Sequence, residues 1–297
     1  MDRKKLLLIY NPHSGKGQMN WNLGEIVEMY TKNGYIVTVC PTQGKKDAVN
    51  LVTEYADQYE MIVCSGGDGT VSEIMNGLIA IDNPPLIGYI PSGTTNDFAS
   101  SLGISKNIMT AAETVVEGMP FACDVGTFNG QAFGYIAAFG LFTDVSYQTP
   151  QEMKNVLGRM AYLLEGAKRL GHIPSYHLTV KTKTEIISGE FIYGMITNST
   201  SIGGFKGLSG DKVKLDDGLF EVVLAKKPKN LSDIHALLQC VLTATPDPNY
   251  LYTYQTEWVA ITSETPIDWT LDGEFGGSFT QVDIENHKQA VRIMIDR

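Results

Sequence analysis

The sequence predicts an α/β protein of two lobes: an N-terminal, doubly wound parallel domain and a C-terminal antiparallel, β-sandwich-like domain. Three observations support this. The 297 residues exceed what one hydrophobic core usually serves. Residues 5 to about 120 alternate short aliphatic runs with longer amphipathic ones, the pattern of repeated βα units. The later residues give runs of strand with few helices between them, which is typical of an antiparallel sheet.

The boundary between the two predicted domains lies near residues 120–128, which gives domains of residues 1–124 and 125–297. In the first domain we expect strands at 6–9, 35–39, 61–64 and 86–90, and helices at 23–30, 48–59 and 71–81. In the second we expect strands at 132–138, 176–182, 185–196, 220–225, 258–262, 267–271 and 291–295, and helices at 153–170 and 231–242. The last strand, about residues 288–297, is free to return to the first domain.

Composition excludes several classes of function. A formal net charge of −10 argues against a nucleic-acid binder, because phosphate backbones are held by Lys and Arg surfaces. The apolar run that follows the basic N-terminus ends at Asn11, which is too early for a signal peptide, and no stretch approaches the length of a membrane span. The scattered cysteines predict buried thiols in a reducing cytosol; they are Cys40, Cys64, Cys123 and Cys240. We therefore expect a cytoplasmic protein whose contact with membranes is peripheral.

A glycine-rich loop follows the third predicted strand and precedes a helical pattern. It reads Ser65-Gly66-Gly67-Asp68-Gly69-Thr70. Glycines let the backbone turn sharply and approach a ligand, while the helix N-terminus offers N–H groups and a positive dipole to phosphate oxygens. The loop matches neither the GxxxxGK[ST] nor the GxGxxG fingerprint. It predicts a phosphate cradle of another class; helix capping by Asp68 and Thr70 is the alternative.

Two more polar loops end neighbouring strands: PSGTTNDFA after the fourth and NPHSGKG after the first. Because the carboxyl ends of parallel strands meet at one edge of the sheet, we expect all three loops to face one ligand. Gly93 and the hydroxyls of Thr94 and Thr95 suit phosphate contacts. Asn96 and Asp97 suit an acceptor, a metal ion or, alternatively, a helix cap.

Together these residues resemble the diacylglycerol kinase catalytic domain, which is found in soluble bacterial lipid kinases and is shared with sphingosine and ceramide kinases. The resemblance spans almost the whole chain. It rests on Asn11-Pro12-x-Ser14-Gly15, on Gly66-Gly67-Asp68-Gly69-Thr70 and on Pro91-x-Gly93-Thr94-x-Asn96-Asp97-Phe98-Ala99. GGDGT alone also occurs in NAD kinases and resembles a phosphofructokinase motif, so the third motif is the one that distinguishes the lipid kinases.

The resemblance implies a first domain that binds ATP, with Mg²⁺ as the metal, and a second that binds a lipid. In such kinases a threonine in the loop after the second strand contacts the nucleotide, and Thr42 matches it. Asp68 is implied near the catalytic magnesium. The implied nucleotide-binding residues are Asn11, Ser14, Thr42, Gly66, Gly67, Asp68, Gly69, Thr70, Val71, Ser72, Gly93, Thr94, Asn96 and Asp97.

Two acidic turns in the second domain complete the resemblance. The motif LDGE places Asp272 and Glu274 in one turn, where one carboxylate can hold Mg²⁺ and the other can accept the proton of an attacking hydroxyl. The resemblance makes this the catalytic turn and favours Glu274 as the base without separating the two. The motif KLDDGL resembles a structural magnesium site, with the Asp217 carboxylate and the main-chain carbonyls of Lys214 and Leu219 as ligands. An Asp-Gly turn is the alternative for both motifs, although in LDGE it accounts for Asp272 and Gly273 and leaves Glu274 unexplained.

The expected reaction is transfer of the γ-phosphoryl group of ATP to a lipid hydroxyl, with diacylglycerol as the first choice of acceptor. The expected partner is a lipid at a membrane surface, which the acidic chain reaches through a local basic face; a merely solvated face is the alternative. Its members are Lys154, Arg159, Lys168, Arg169, His172, Lys206, Lys212 and Lys214. An exposed edge of the antiparallel domain would allow a homodimer, and the oligomeric state stays open.

The sequence departs from the family pattern at one segment, and two rival functions are open to it. Residues 138–144 read AFGLFTD where family members often carry Gly-x-Gly-x-Asp, so the wall on the acceptor side can differ. Asp124, at the domain boundary, either bridges a metal or holds the domains together. An NAD kinase-like enzyme is disfavoured by PSGTTNDFA. A nucleotide-binding regulator without catalysis is disfavoured because GGDGT and the LDGE turn are both present.

Overall fold

The computed structural model describes residues 3–141, 174–198, 213–243 and 245–296. The predicted helix 153–170 and residues 142–144 of the departing motif lie outside these ranges. So do seven members of the expected basic face, namely Lys154, Arg159, Lys168, Arg169, His172, Lys206 and Lys212. The chain divides into two compact units: unit 1 is Met1–Val125, Ala132–Gly134 and Lys288–Arg297, and unit 2 is Gly126–Gln131 and Tyr135–His287.

The strands and helices alternate through the first part of the chain. The strands are β1 (Lys4–Tyr10), β2 (Tyr35–Pro41), β3 (Met61–Gly66) and β4 (Leu86–Pro91). The helices are α1 (Gln18–Lys32), α2 (Asp47–Tyr55), α3 (Asp68–Leu78), α4 (Asp97–Ser101) and α5 (Ile108–Glu117).

Strands dominate the remainder, as the sequence predicts. They are β5 (Met119–Phe128), β6 (Gln131–Phe133), β7 (Ile136–Gly140), β8 (Tyr176–Lys181), β9 (Ile186–Thr197), β10 (Phe220–Lys226), β11 (Leu251–Thr256), β12 (Trp258–Leu271) and β13 (Glu274–Ile295). One helix, α6 (Leu231–Thr243), lies among the described residues of this part. No helix within the described ranges has both the length and the apolar character that crossing a bilayer requires.

The sheet of unit 1 is parallel, with the strand order β4-β3-β1-β2, and the end of β13 adds beside β4. Crossovers between parallel strands are right-handed, so the reversal of direction after β2 places α1 on one face and α2 and α3 on the other. Helix α5 packs against α1, which completes the doubly wound arrangement. The strand order reverses between β1 and β3. Sheets of this class bind ligands at that point, beyond the carboxyl ends of the strands.

The residues of this sheet explain its position in the core. Every residue of β3 is buried, as are the aliphatic residues 6–9 of β1, because helices cover both faces of a parallel sheet. A single residue, Gly67, separates β3 from α3. The N-terminus of α3 therefore lies directly at the strand end, where the sequence predicts a phosphate cradle.

Unit 2 contains an antiparallel sheet in the order β11-β10-β9-β7-β12-β13, and β8 pairs with both β12 and β9. Strand β12 is continuous where the sequence predicts two separate strands, 258–262 and 267–271. Its register shifts between Thr262 and Ile267, so the chain continues the ladder past Pro266 through an irregularity rather than ending there. Aromatic rings form part of the core, with Trp269 packed against Phe128 and Phe139.

Candidate active site

Backbone hydrogen bonds join the loops that leave the carboxyl ends of the strands in unit 1. Three such bonds, each 2.9 Å from nitrogen to oxygen, run from Asn11 to Ser65, from Thr42 to Tyr10 and from Ser92 to Gly66. Each links a residue just beyond one strand to the end of a neighbouring strand. The loops that the sequence places at one rim are therefore held side by side.

Glycines allow these loops to approach more closely than side chains would permit. A Cβ atom on Gly93 would lie 2.5 Å from the Cα of Gly67, and a Cβ atom on Gly15 would lie 2.0 Å from the carbonyl oxygen of Ser92. Gly15 also has a φ of 56°, in the left-handed region that favours glycine. The glycine motifs thus pack backbone against backbone at one place, as a phosphate-binding surface requires.

The carboxylate of Asp68 ties the loop after β3 to the loop after β4. Its Oδ2 accepts the hydroxyl of Thr95 at 3.0 Å and the backbone N–H of Asp97 at 3.1 Å, and its Oδ1 accepts the backbone N–H of Phe98 at 3.1 Å. Asp68 is buried, and the N–H donors begin α4, where a negative charge is favourable. In this structure Asp68 connects two loops; a role toward magnesium stays a prediction.

Asn96 shapes the same loop from inside. Its Oδ1 accepts the N–H of Gly93 and its Nδ2 donates to the Gly93 carbonyl, both at 2.9 Å. Its φ of 52° lies in a region that Asn tolerates. Lys106, which the sequence analysis does not select, donates from Nζ to the Thr95 carbonyl at 2.7 Å. A lone lysine carries no sequence signal of this role, because its partner is eleven residues away along the chain.

The other predicted nucleotide-binding residues differ in exposure. Gly69 and Thr94 are exposed, whereas Thr42 and Val71 are buried, so only the backbone of Val71 is suited to a ligand. Ser72 donates its hydroxyl to the carbonyl of Ala132 at 3.3 Å. The half-buried members are Asn11, Ser14, Gly67, Thr70, Ser72, Gly93 and Asp97.

The two acids of the LDGE turn have different environments in unit 2. Asp272 and Gly273, with φ values of 51° and 83°, form the two-residue connection between β12 and β13 that a type I′ hairpin requires. The Oδ1 of Asp272 accepts the backbone N–H groups of Tyr135 at 2.9 Å and Ile136 at 3.1 Å. Glu274 lies beyond the turn in an exposed position. Asp272 is therefore engaged in holding backbone, and the role of either acid as the base stays a prediction.

The KLDDGL segment is followed, two residues after its end, by a buried acid, Glu221, that carries no motif in the sequence. The Oδ1 of Asp217 accepts the N–H of Leu219 at 3.0 Å, and Lys214 is exposed. Glu221, on β10, is only 4% exposed; its Oε1 accepts the side-chain amide of Gln255 at 3.0 Å, and its Oε2 has no partner among the described residues. Burial and, secondarily, the charge of Asp217 raise the pKa of Glu221 to about 7.

These acids fit a bound Mg²⁺, which usually keeps several waters and takes only one or two carboxylates. A buried carboxylate oxygen that has no partner and lies close to a second acid is costly, and a bound cation would offset that cost. Clusters of three or more His, Cys, Asp or Glu side chains suited to a metal do not occur within the described ranges. The ligand set of Lys214, Asp217 and Leu219 stays a prediction.

Asp124 has a clear partner within unit 1. It is buried, and its Oδ1 accepts the backbone N–H of Gln289 at 2.7 Å. Gln289 has a φ of 52° and lies where the last strand enters unit 1. The contact thus holds the C-terminal strand, and a metal-bridging role stays a prediction.

Comparison with known proteins gives consistent results. A family model described as the diacylglycerol kinase catalytic domain matches residues 5–128. A diacylglycerol kinase of Bacillus subtilis is 34% identical over 278 residues, which cover 92% of this chain and 91% of the relative. A Staphylococcus aureus protein of the same name is 33% identical over 291 residues, covering 96% and 91%. The crystal structure of a proposed diacylglycerol kinase from Bacillus anthracis str. Sterne has a TM-score of 0.79 at 26% identity and covers 100% of this chain and 98% of that one.

Proposed function

Because the chain belongs to the diacylglycerol kinase family, we propose that it transfers the γ-phosphoryl group of ATP to the free hydroxyl of diacylglycerol, which gives phosphatidic acid. The observation that carries this is the convergence of the GGDGT and PSGTTNDFA loops, in backbone contact at Gly67 and Gly93 and tied together by Asp68. The family supports this reaction over the NAD kinase-like and regulatory alternatives.

In unit 1, backbone N–H groups supply most of the proposed contacts to the phosphates of ATP. Phosphoryl transfer depends mainly on positioning and on stabilisation of charge on the transferred group. The N-terminus of α3, with the exposed Gly69, offers N–H groups and dipole to the phosphates of ATP. Thr42 and Thr94 supply further nucleotide contacts. Asp68 and Asn96 keep the loops in the shape that this binding needs.

A divalent cation belongs to the proposal. When bound with ATP, Mg²⁺ neutralises part of the negative charge on the β- and γ-phosphates. Asp217, with the carbonyls of Lys214 and Leu219, would hold a second, structural ion in unit 2, and the orphaned oxygen of Glu221 supports a cation there.

In unit 2 we assign Glu274 as the general base that takes the proton of the attacking hydroxyl. Asp272 positions this turn through its bonds to the backbone of residues 135 and 136. We expect Glu274→Gln to leave ATP affinity nearly unchanged and to lower kcat by about 10²- to 10⁴-fold, the usual contribution of a general base. Glu264→Gln, which changes another exposed acid of unit 2, is the matched control and should retain kcat. Full activity in Glu274→Gln would remove Glu274 from this role.

The substrate requires contact with a lipid surface, so we propose a cytoplasmic enzyme that meets membranes peripherally. Homodimerisation stays a prediction. The direct test is Mg²⁺-dependent transfer of label from γ-labelled ATP to diacylglycerol in mixed micelles, with phosphatidylglycerol, a sphingoid base, a polyprenyl alcohol and NAD in parallel. We expect label in phosphatidic acid. Label in NAD alone, or in no acceptor despite ATP binding, would reject the proposal.

A further inference from the structure

Glu73, in the second turn of α3, makes a contact that lies outside the motifs described above. Its Oε1 accepts the backbone N–H of Lys46 at 2.8 Å, and its Oε2 accepts the backbone N–H of Ala48 at 3.2 Å. The donors are the N-cap residue of α2 and the second residue of that helix. A carboxylate of one helix therefore caps the N-terminus of its neighbour.

The N-cap residue of α2 does not supply a side-chain cap of its own. Lys46 stands at the N-cap position, and its side chain makes no capping hydrogen bond. Its φ of 66° is in the left-handed region, which a non-glycine residue keeps only where its surroundings hold it. A carboxylate at a helix N-terminus forms charge-assisted bonds and complements the helix dipole. Glu73 therefore stabilises a backbone conformation that the local sequence does not favour.

The segment held in this way carries Thr42. At the β2 end, the N–H of Thr42 donates to the carbonyl of Tyr10 at 2.9 Å. Within the loop, the N–H of Gln43 donates to Oδ2 of Asp47 at 2.8 Å. At the α2 end, Glu73 holds the backbone. The loop is thus fixed at both ends, and one end depends on the same helix that begins with the GGDGT motif.

We propose that Glu73 is a positioning residue for the nucleotide. It ties the loop that contains Thr42 to helix α3, and it therefore sets the affinity for ATP rather than the rate of phosphoryl transfer. The inference rests on the proposed function, because the nucleotide contact of Thr42 comes from the family. Glu73 acts through backbone N–H groups of residues 46 and 48. Its removal should change where Thr42 lies while leaving the glycine loops in place.

The test is Glu73→Gln, which keeps the shape but offers only one acceptor oxygen where the two N–H groups need two. We expect Kd and KM for ATP to rise by roughly 5- to 10-fold, within the range of the net contribution of one ordinary hydrogen bond, with kcat within about twofold of wild type. Affinity is measured by titration calorimetry with the full chain and a non-hydrolysable ATP analogue. Asp233→Asn is the matched control, since Oδ2 of Asp233 accepts the N–H of Lys229 at 2.8 Å at the start of α6. It should leave Kd and KM unchanged.

Thr42→Val separates positioning from a merely structural cap. If Glu73 acts through the Thr42 loop, the double variant raises Kd by clearly less than the product of the two single effects. Asp47→Asn, which loosens the same loop at its other bond, should also raise Kd. The proposal is overturned if Glu73→Gln lowers only the unfolding midpoint with Kd unchanged, if it lowers kcat at constant KM, or if the two single effects multiply. Wild-type protein that binds ATP but phosphorylates no diacylglycerol overturns the proposed function alone, because the comparison of affinities remains valid.

Discussion

Replacing Asp68 by Asn tests the tie between the two glycine loops. The carboxylate accepts three donors, with Thr95 and Asp97 on Oδ2 and Phe98 on Oδ1. An amide has one acceptor oxygen, so in either orientation at least one backbone N–H faces the Nδ2 group. The variant therefore leaves one donor without a partner, whichever way the side chain turns.

The magnitude follows from these bonds. An unsatisfied buried donor costs about 1–3 kcal/mol, and each donor that exchanges a charged acceptor for a neutral one loses about 1 kcal/mol. Relief from burying the charge offsets part of this. We expect Asp68→Asn to lower the free energy of unfolding by about 3 kcal/mol and to weaken ATP binding, because the loops after β3 and β4 are no longer held together.

The assay is urea unfolding of wild type, Asp68→Asn, Thr95→Val and the double variant, with ATP affinity measured on each. Thr95→Val removes one of the three donors, so the double variant should be about 1 kcal/mol more stable than additivity predicts. An Asp68→Asn variant as stable as wild type to within about 0.5 kcal/mol, yet without Mg²⁺-dependent activity, would refute the reasoning. Asp68 would then act through the metal and not as a tie between loops.

Two further predictions concern close approach and pH. Gly93→Ala should weaken ATP binding at least about 10-fold, because the added Cβ would lie 2.5 Å from the Cα of Gly67 and would push the two loops apart. Gly24→Ala is the control: Gly24 has open space around it, so this variant should keep the wild-type affinity. Equal affinities of the two variants in calorimetry would contradict the prediction. Burial raises the pKa of Glu221 from 4.5 to about 7, so the folded chain binds this proton more tightly than the unfolded chain does. With divalent cations chelated, the free energy of unfolding should therefore fall as the pH rises from 4.5 to about 7. Glu221→Gln cannot ionise and should flatten this part of the unfolding curve measured from pH 5 to 8; an unchanged slope would contradict the assignment.

The parallel sheet could be predicted because its signal is local. The strands of unit 1 are short aliphatic runs bounded by glycine and polar loops, and burial on both faces requires such runs. Helix α4 has no comparable signal, since its five residues are too few for a periodic pattern and Asp68 holds its first N–H groups from another loop. The full length of strand β12 is not evident from the sequence, because Pro266 suggests the end of a strand although the ladder continues past it. Most of β13 is polar and half exposed, so only its apolar end near residues 291–295 is visible in the sequence.

The candidate site could be predicted as a set of loops but not as a set of roles. Glycine motifs at strand ends announce close backbone approach, and the rim geometry of parallel sheets brings them together. The role of each acid depends on hydrogen-bond partners that are distant in the sequence. Asp68 bonds residues 27 to 30 positions later, and Asp272 bonds residues 136 and 137 positions earlier. This is why the sequence favours Glu274 over Asp272 as the base without separating them, whereas the bonds from Asp272 to backbone appear only in the structure.

Helix α3 carries three polar side chains that each capture backbone from a different segment of unit 1. Asp68 holds the start of α4, Glu73 holds the start of α2, and Asn76 pairs with Ala132, accepting its N–H at 2.7 Å and donating to its carbonyl at 3.0 Å. A hydrogen bond to backbone fixes a segment regardless of that segment's own side chains. A displacement of α3 would therefore move the loops after β2 and β4 and the β6 strand together. Under the proposed function, phosphates bound at the N-terminus of this helix would act on all three segments through one element.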